Sequence, residues 1–271
     1  MIEETLIDWR EHIVKVVINW AEKNNYTLDQ IKRLLHSIKK SDRSNVVIND
    51  NLPCPKLFCE GLDPRPWYTK KDFPWISVLE QNFSTIKTEF EKCANSKEMN
   101  VFSHADSKEL TGTVSWDTVL LYNHRGIIKK NSPLFPETVK LLASTPTDNN
   151  ILRAMFSILP PNINIKPHYG PHNFRIRFHL GITIPKGDCA IKVAGTTKHW
   201  EEGHILIFDD SFKHEVWNNT DSTRIILLFD IWHPLLSKVE RKLIRYVALY
   251  TLKMKKKGIK FTNQPDIFHE D

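Results

Sequence analysis

The sequence predicts a mainly β fold with flanking helices, an α+β chain whose strands pair antiparallel. Apolar residues recur at helical spacing near both ends, within 5–38 and 235–260. Between about 116 and 232 the apolar residues fall into short runs separated by Gly, Pro, Asn and Asp turns. The sequence contains no glycine-rich phosphate loop, which disfavours a nucleotide-binding fold.

The N-terminal residues predict a helical extension. A first helix is expected over 5–24, and a second begins at Thr27, which forms a capping box with Gln30. The stripe of the first helix consists of Leu6, Trp9, Ile13, Val16, Val17 and Trp20. Residues 41–56 are polar and end in two prolines, which is typical of a linker. We therefore expect 1–56 to form a helical extension and linker, with its hairpin packed on the main domain.

Residues 57–234 are expected to form that main domain. A helix is predicted over 75–93, where four apolar residues share one face. Seven strands are predicted after it: Trp116–Tyr122, Arg153–Leu159, Phe174–Ile184, Cys189–Val193, His204–Phe208, His214–Trp217 and Arg224–Trp232. Strands at this spacing are typical of an antiparallel β-sandwich or barrel.

Residues 235–271 predict a basic amphipathic helix and tail. Nine Lys and Arg residues and one acid lie in 235–260, whose net charge is thus +8 in a chain of net charge +6. Since 261–271 carries −3, residues 1–234 sum to only +1. A solvated helix that covers the domain accounts for this pattern, and so does a helix that lies on an anionic membrane surface. No interleaved aromatics or known motif favour nucleic acid as a partner.

Composition and targeting signals predict a cytoplasmic protein, with a location peripheral to a membrane as the alternative. Hydrophobic residues make up 41% of the chain and charged residues 26%, which excludes disorder as the dominant state. The four cysteines match no zinc or CxxC spacing, so reduced thiols are expected. The acidic N-terminus has no signal-peptide pattern, and no apolar run is long enough to span a bilayer.

Histidines and arginines concentrate in the β-rich region. Six of the twelve histidines lie between 168 and 214. In the strand 174–184, Arg175, Arg177 and His179 alternate with apolar residues, so the three polar side chains share one face. That face is either a solvated edge or the lining of a barrel mouth that binds anions, since arginine suits carboxylates.

A second pair, His214 and Arg224, flanks the turn-like residues 218–221. In a hairpin, both side chains could point into one cavity. Neutral imidazole is a common metal ligand, so we consider a His168/His214 metal pair with Arg224 and Arg177 near carboxylates. A structural zinc site is disfavoured because such sites prefer four protein ligands, often thiolates.

Two long motifs resemble those of the aspartyl/asparaginyl β-hydroxylase family. Residues 168–181 read HYGPHNFRIRFHLG, and residues 200–217 read WEEGHILIFDDSFKHEVW. The resemblance continues through Arg224 and through 230–234, DIWHP, and covers about 57–234. It implies a double-stranded β-helix (a jelly-roll, cupin-like core) that uses Fe(II) and O2 with 2-oxoglutarate as cosubstrate.

The resemblance also assigns roles to residues. His168 and His214 are implied as the iron ligands, and Gly170 stands where most such enzymes have a third, carboxylate ligand. The family fills that position with water. Residues implied to bind the cosubstrate are Arg224, Ser157, His179, Arg177 and Trp116. Arg177 is also implied in catalysis, and Arg175 and Asp210 are implied near the substrate.

We therefore expect a dioxygenase that hydroxylates the β-carbon of an Asp or Asn residue in a peptide, or of a related small amino-acid derivative. Succinate and CO2 are the expected coproducts. The family also includes lipid acyl-chain hydroxylases, so a lipid substrate at a membrane surface is the first alternative. The second is a non-catalytic binding module that retains the fold.

Overall fold

The structure, a computed structural model, describes residues 6–40, 52–96, 98–99, 101–103, 107–112, 116–145 and 151–264. Most of the predicted linker and the start of the first predicted helix therefore lie outside the described residues. Within them, no helix is long and apolar enough to cross a membrane.

Antiparallel strands form the centre of the molecule. In chain order the strands are β1 (Ile7–Asp8), β2 (Trp67–Tyr68), β3 (Phe102–Ser103), β4 (Asp117–Asn123), β5 (Gly126–Ile127), β6 (Ile151–Leu159), β7 (Ile163–His168), β8 (Arg175–Thr183), β9 (Cys189–Val193), β10 (Thr196–His199), β11 (Ile205–Phe208), β12 (His214–Asn218), β13 (Arg224–Trp232) and β14 (Phe261–Thr262). The larger sheet runs β2-β11-β8-β13-β6-β4-β3, with β5 on β4, and the smaller runs β10-β9-β12-β7.

Helices cover the ends and the outer face of the larger sheet. They are α1 (Trp9–Lys23), α2 (Leu28–Lys39), α3 (Ser77–Gln81), α4 (Phe83–Asn95), α5 (Ser107–Thr111), α6 (Pro136–Ala143) and α7 (Lys238–Lys256). Side-chain caps begin α1 and α7: Asp8 accepts from the backbone N–H of Glu11, and Ser237 forms a capping box with Glu240.

Strict alternation along β8 and β13 decides which residues lie between the two sheets. Phe178 and Phe229 face outward, where they pack with Ile86 and Phe90 of α4. Residues of opposite parity face inward, where Leu228 packs with residues of the smaller sheet. The inward positions of β8 are those of Arg175, Arg177 and His179, so the sequence-predicted polar face is the inner lining of the β-sandwich.

The N-terminal helices pack on the domain together with α7. Trp9, Ile13 and Leu34 share an apolar cluster with Leu243 and Val247. Arg33 of α2 binds Glu240 of α7 through two hydrogen bonds of 2.8 and 2.6 Å. The same cluster includes Phe174 and Trp232, so the N-terminal helices also contact the β-rich region.

The mainly β, double-stranded β-helix class is confirmed, and the seven predicted strands are present with ends shifted by at most two residues. The single helix predicted over 75–93 is wrong. The Asn82 side chain donates to the carbonyl of Val78 at 2.8 Å and separates α3 from α4. Strand β7 was not predicted because Pro167 lowers strand propensity; β7 is an edge strand, where proline is tolerated.

The outer core should be sensitive to truncation at Phe178. This fully buried ring stacks on Phe229 at 4.8 Å and meets Phe73 edge-on at 5.1 Å. Phe178→Ala should lower the free energy of unfolding by about 3–5 kcal/mol, measured by urea denaturation. Val78→Ala, at a side chain that is 45% exposed, is the control and should change stability by under about 0.5 kcal/mol. Equal effects of the two variants would contradict the assigned core.

Candidate active site

Two histidines meet where β7 ends and β12 begins. His168 is the last residue of β7, His214 is the first of β12, and the two are register partners. Their ring centroids lie 4.1 Å apart. The β7–β12 pairing thus brings together two imidazoles that are 46 residues apart in the chain.

The backbone orients both rings in the same way. The Nδ1 of His168 lies 2.8 Å from the carbonyl of Lys166, and the Nδ1 of His214 lies 2.9 Å from the carbonyl of Phe212. A carbonyl oxygen only accepts, so each Nδ1 carries the proton and each Nε2 carries a lone pair. Burial and the neighbouring His168 lower the pKa of His214 to about 3, so His214 stays neutral at physiological pH. Histidine metal ligands are commonly anchored through the other nitrogen in this way.

The glycine that follows His168 by two residues excludes a third protein ligand there. The N–H of Gly170 donates to the carbonyl of Asp210 at 2.7 Å. A Cβ on Gly170 would lie 2.7 Å from the carboxylate of Asp210 and 2.9 Å from its backbone oxygen. The described residues contain no cluster of three or more His, Cys, Asp or Glu side chains suited to a metal. The site therefore offers two imidazoles and leaves the other coordination positions to non-protein ligands.

Beside the histidines, two arginines and two aspartates form a buried ion network. Arg177 donates from Nε and Nη2 to the two carboxylate oxygens of Asp230 at 2.8 and 2.9 Å. Arg175 binds Asp210 through Nε and Nη2, and Asp210 also lies 3.1 Å from Nη1 of Arg177. Burial opposes ionisation of both aspartates, but the two arginines lower their pKa values overall. The network is thus charged throughout and neutral in sum.

Arg224 is a different kind of buried arginine. Its side chain is 2% exposed, its Nε has no hydrogen-bond partner, and no carboxylate of the described residues pairs with it. Burial lowers its pKa to about 10, which still leaves it charged at physiological pH. Its guanidinium lies over the ring of Trp200, 5.1 Å from the centroid. A buried cation without a counter-ion is costly, so the geometry suits an anionic ligand.

The surroundings of Arg224 contain further unused hydrogen-bonding groups. Both ring nitrogens of His179 are buried without partners, and burial and nearby arginines lower its pKa, which keeps the ring neutral. Ser157 is buried on β6, diagonal to Arg224 across the β6–β13 pair. Together these three side chains match the donor set that a small dicarboxylate needs.

An open cleft of about 460 Å³ leads to the histidine pair. His168, Trp116, Arg175, Arg177 and Asp210 line it. Ser157, His179, His214 and Arg224 do not line this cleft, although the charge of Arg224 acts on His179. The predicted residues thus form two adjoining groups, one at the cleft wall and one buried deeper.

The sequence analysis assigned no role to three residues of this region: Asp230, Trp200 and Arg153. Asp230 lies six residues after Arg224, and this even spacing in one strand gives both the same face. Arg153 lines the cleft near its mouth, at an inward position of β6. The alternation of faces along the predicted strands could therefore have identified Asp230 and Arg153 as residues of the site. The strand pattern offers no such indication for Trp200.

Comparison with known proteins shows several relatives. A family model described as aspartyl/asparaginyl beta-hydroxylase matches residues 80–234. Human aspartyl/asparaginyl beta-hydroxylase is 36% identical over 187 residues, which cover 67% of this chain and 24% of the human protein. The ornithine lipid ester-linked acyl 2-hydroxylase of Rhizobium tropici is 34% identical over 177 residues, which cover 64% of this chain and 62% of that protein.

The chain thus spans about a quarter of the human relative and less than two thirds of the bacterial one. Among solved structures, a Pseudomonas putida prolyl-4-hydroxylase has a TM-score of 0.39 and 11% identity, over 59% of this chain and 98% of that chain. That score is too low to transfer residue roles. The family-model match covers more than half of the chain and includes the two histidines, the ion network and Arg224. The chain belongs to the aspartyl/asparaginyl beta-hydroxylase family.

Proposed function

We propose that the chain is an iron(II)- and 2-oxoglutarate-dependent dioxygenase that hydroxylates the β-carbon of an Asp or Asn residue in a peptide, or of a related small amino-acid derivative. The observation that carries this proposal is the pairing of two features. The Nδ1 atoms of His168 and His214 are both anchored to backbone carbonyls, and no carboxylate of the described residues pairs with the nearby buried cation Arg224.

The donor set fits the two groups that this chemistry requires. Iron(II) accepts imidazole ligands and tolerates open positions. The guanidinium of Arg224 suits the distal carboxylate of 2-oxoglutarate, with the hydroxyl of Ser157 as a second donor. When bound, iron(II), 2-oxoglutarate and O2 supply the oxidant that inserts one oxygen atom into a C–H bond and leaves succinate and CO2.

The chain's own residues orient and enclose this chemistry. His168 and His214 would hold the metal through Nε2, because the Nδ1–H of each ring donates to a backbone carbonyl. His179 donates a hydrogen bond to the cosubstrate from a ring that burial keeps neutral. Trp116, which is 7% exposed, forms a wall that excludes water from the cosubstrate.

The ion network positions the substrate. Arg175 and Asp210 line the cleft, and the bonds to Asp210 and Asp230 leave some N–H groups of Arg175 unused. Those groups suit the side-chain carboxylate or amide of the substrate residue. Arg177 is held between Asp230 and Asp210, and its charge helps to lower the pKa of His179.

A second candidate is hydroxylation of a lipid acyl chain. The Rhizobium relative is by name an acyl 2-hydroxylase, and the matched segment makes up most of that protein. The cleft also has apolar lining residues, among them Leu110, Met155 and Leu228. The two substrates are separated by mass spectrometry of the product, in which either an Asp-containing peptide or an acyl lipid gains one oxygen atom.

Loss of either proposed iron ligand should abolish turnover. His168→Ala and His214→Ala should each bind less iron(II) and form no succinate from 2-oxoglutarate in the presence of an Asp-containing peptide. His204→Ala, at a side chain that is 60% exposed, is the matched control and should keep both properties. Iron content by elemental analysis and succinate by mass spectrometry are the readouts. Retained turnover in either variant would contradict the ligand assignment. If the native chain shows no iron-dependent turnover with any candidate substrate, that result would favour the binding-module alternative.

Arg224→Ala should weaken 2-oxoglutarate binding by roughly 10- to 100-fold, because a desolvated carboxylate loses its charged partner. Titration calorimetry with manganese(II) in place of iron measures this without turnover. Arg125→Ala, at an exposed position, is the control and should bind 2-oxoglutarate as the native chain does. Unchanged affinity of Arg224→Ala would place the cosubstrate elsewhere.

Restoring a third ligand at Gly170 should fail for steric reasons. The added Cβ in both Gly170→Ala and Gly170→Asp would meet the carboxylate and the backbone oxygen of Asp210. Both variants should lose stability by about 1–3 kcal/mol, measured by urea denaturation, and both should lose turnover. Native stability and activity in Gly170→Ala would show that Asp210 moves aside easily. That result would contradict the close packing between Gly170 and Asp210.

A further inference from the structure

Helix α7 presents a cationic stripe to solvent. The stripe consists of Lys238, Lys242, Arg245, Leu249, Lys253 and Lys256. At 3.6 residues per turn these positions fall within an arc of about 80°. The opposite side of α7 is buried against α1 and α2 through residues such as Leu243 and Val247. The stripe is therefore the solvent side of a helix whose other side belongs to the core.

The stripe contains no acid. Glu240 is the one carboxylate in α7, and it is buried and bound to Arg33. Among the described residues, no carboxylate pairs with Lys242, Lys253 or Lys256. The exposed side of α1, in contrast, mixes acids and bases.

Like charges four residues apart repel, and the N-terminal turns of a helix disfavour cations such as Lys238 and Lys242. Lys253 and Lys256 lie in the last turn, where the helix dipole favours cations, so the unfavourable part of the stripe is its N-terminal half. A negatively charged partner surface offsets the repulsion between the cations. The charge pattern therefore complements an anionic surface.

Apolar and aromatic side chains accompany the cations. Leu249, within the stripe, is 41% exposed, and Leu235, just before α7, is 54% exposed. Along one edge, half-buried rings stack in a ridge: Trp20 lies 5.2 Å from Tyr26 and 5.8 Å from Tyr246. The hydroxyl of Tyr26 accepts a hydrogen bond of 3.4 Å from Lys242. Cations bordered by amphipathic aromatics and exposed leucines match the headgroup zone of a bilayer, where phosphates and acyl carbons are both within reach.

We propose that the cationic stripe of α7, with the ridge of Trp20, Tyr26 and Tyr246, is a docking surface for the headgroups of an anionic lipid bilayer. The proposal does not rest on the dioxygenase activity, because it concerns a surface formed by α7 and α1 and needs neither metal nor cosubstrate. Docking holds the chain at a membrane by the solvent side of α7.

The test is sedimentation of the full chain with vesicles of phosphatidylcholine alone or with about 30 mol % phosphatidylglycerol. The native chain should bind the anionic vesicles, and added salt should release it. The triple variant K242E/K253E/K256E should bind roughly 100-fold more weakly. Leu249→Ala should weaken binding by a smaller factor without changing its salt dependence.

The control K71E/K140E/K186E removes the same total charge at exposed lysines outside α1 and α7 and should bind as the native chain does. Circular dichroism of each variant verifies folding. The proposal is overturned if the stripe variant and the control bind equally, or if neutral vesicles bind as well as anionic ones. It is also overturned if an RNA or DNA duplex binds while anionic vesicles do not. Succinate formation with a soluble peptide tests the proposed function separately.

Discussion

The buried ion network between β8, β13 and the loop before β12 is the interaction on which the site geometry depends. Arg177 joins β8 to Asp230 of β13 with two parallel hydrogen bonds, and Asp210 binds both Arg175 and Arg177. The same Asp210 accepts from the N–H of Gly170 and so fixes the segment that follows His168. Asp210 therefore holds the residues after the first histidine through its backbone carbonyl and the strand of the cleft wall through its carboxylate, and the loop that carries it leads directly into His214.

The network also explains why similar residues on one face have different properties. Arg177 and Arg224 are both inward-facing and buried, yet only Arg177 has carboxylate partners. Opposing carboxylates raise the pKa of Arg177, whereas burial without a partner lowers that of Arg224. Removing one partner of a buried ion pair leaves an uncompensated charge in the interior, so Arg177 and its aspartates depend on one another. Under the proposed function, Arg224, which pairs with no carboxylate of the described residues, is the arginine that binds a ligand.

The sequence predicted the parts of this arrangement that periodicity controls. The alternation along Arg175–Thr183 places Arg175, Arg177 and His179 on one face, and the structure has them there. Periodicity does not specify partners between strands. The Arg177–Asp230 pair spans 53 residues, and it depends on the β8–β13 register, which shifts between Ile225 and Ile226. The sequence also does not reveal the clash that Gly170 avoids, because that clash depends on how close the backbone at Gly170 comes to Asp210. The break at Asn82 was missed for a local reason, since its side chain competes with the helical hydrogen bonds.

Charged side chains have different roles in the buried site and on the exposed side of α7. In the site, two arginines and two aspartates cancel, and the unpaired Arg224 lies in a low-dielectric interior where a single charge acts strongly on a ligand. On α7, several cations lie in water, where each acts weakly and is screened within about 10 Å at ordinary salt concentrations. Specific binding of a small dicarboxylate therefore requires only one buried arginine, whereas attraction to an extended anionic surface requires a row of exposed cations. The net charge of the chain comes mainly from the exposed cations and says almost nothing about the charges of the buried site.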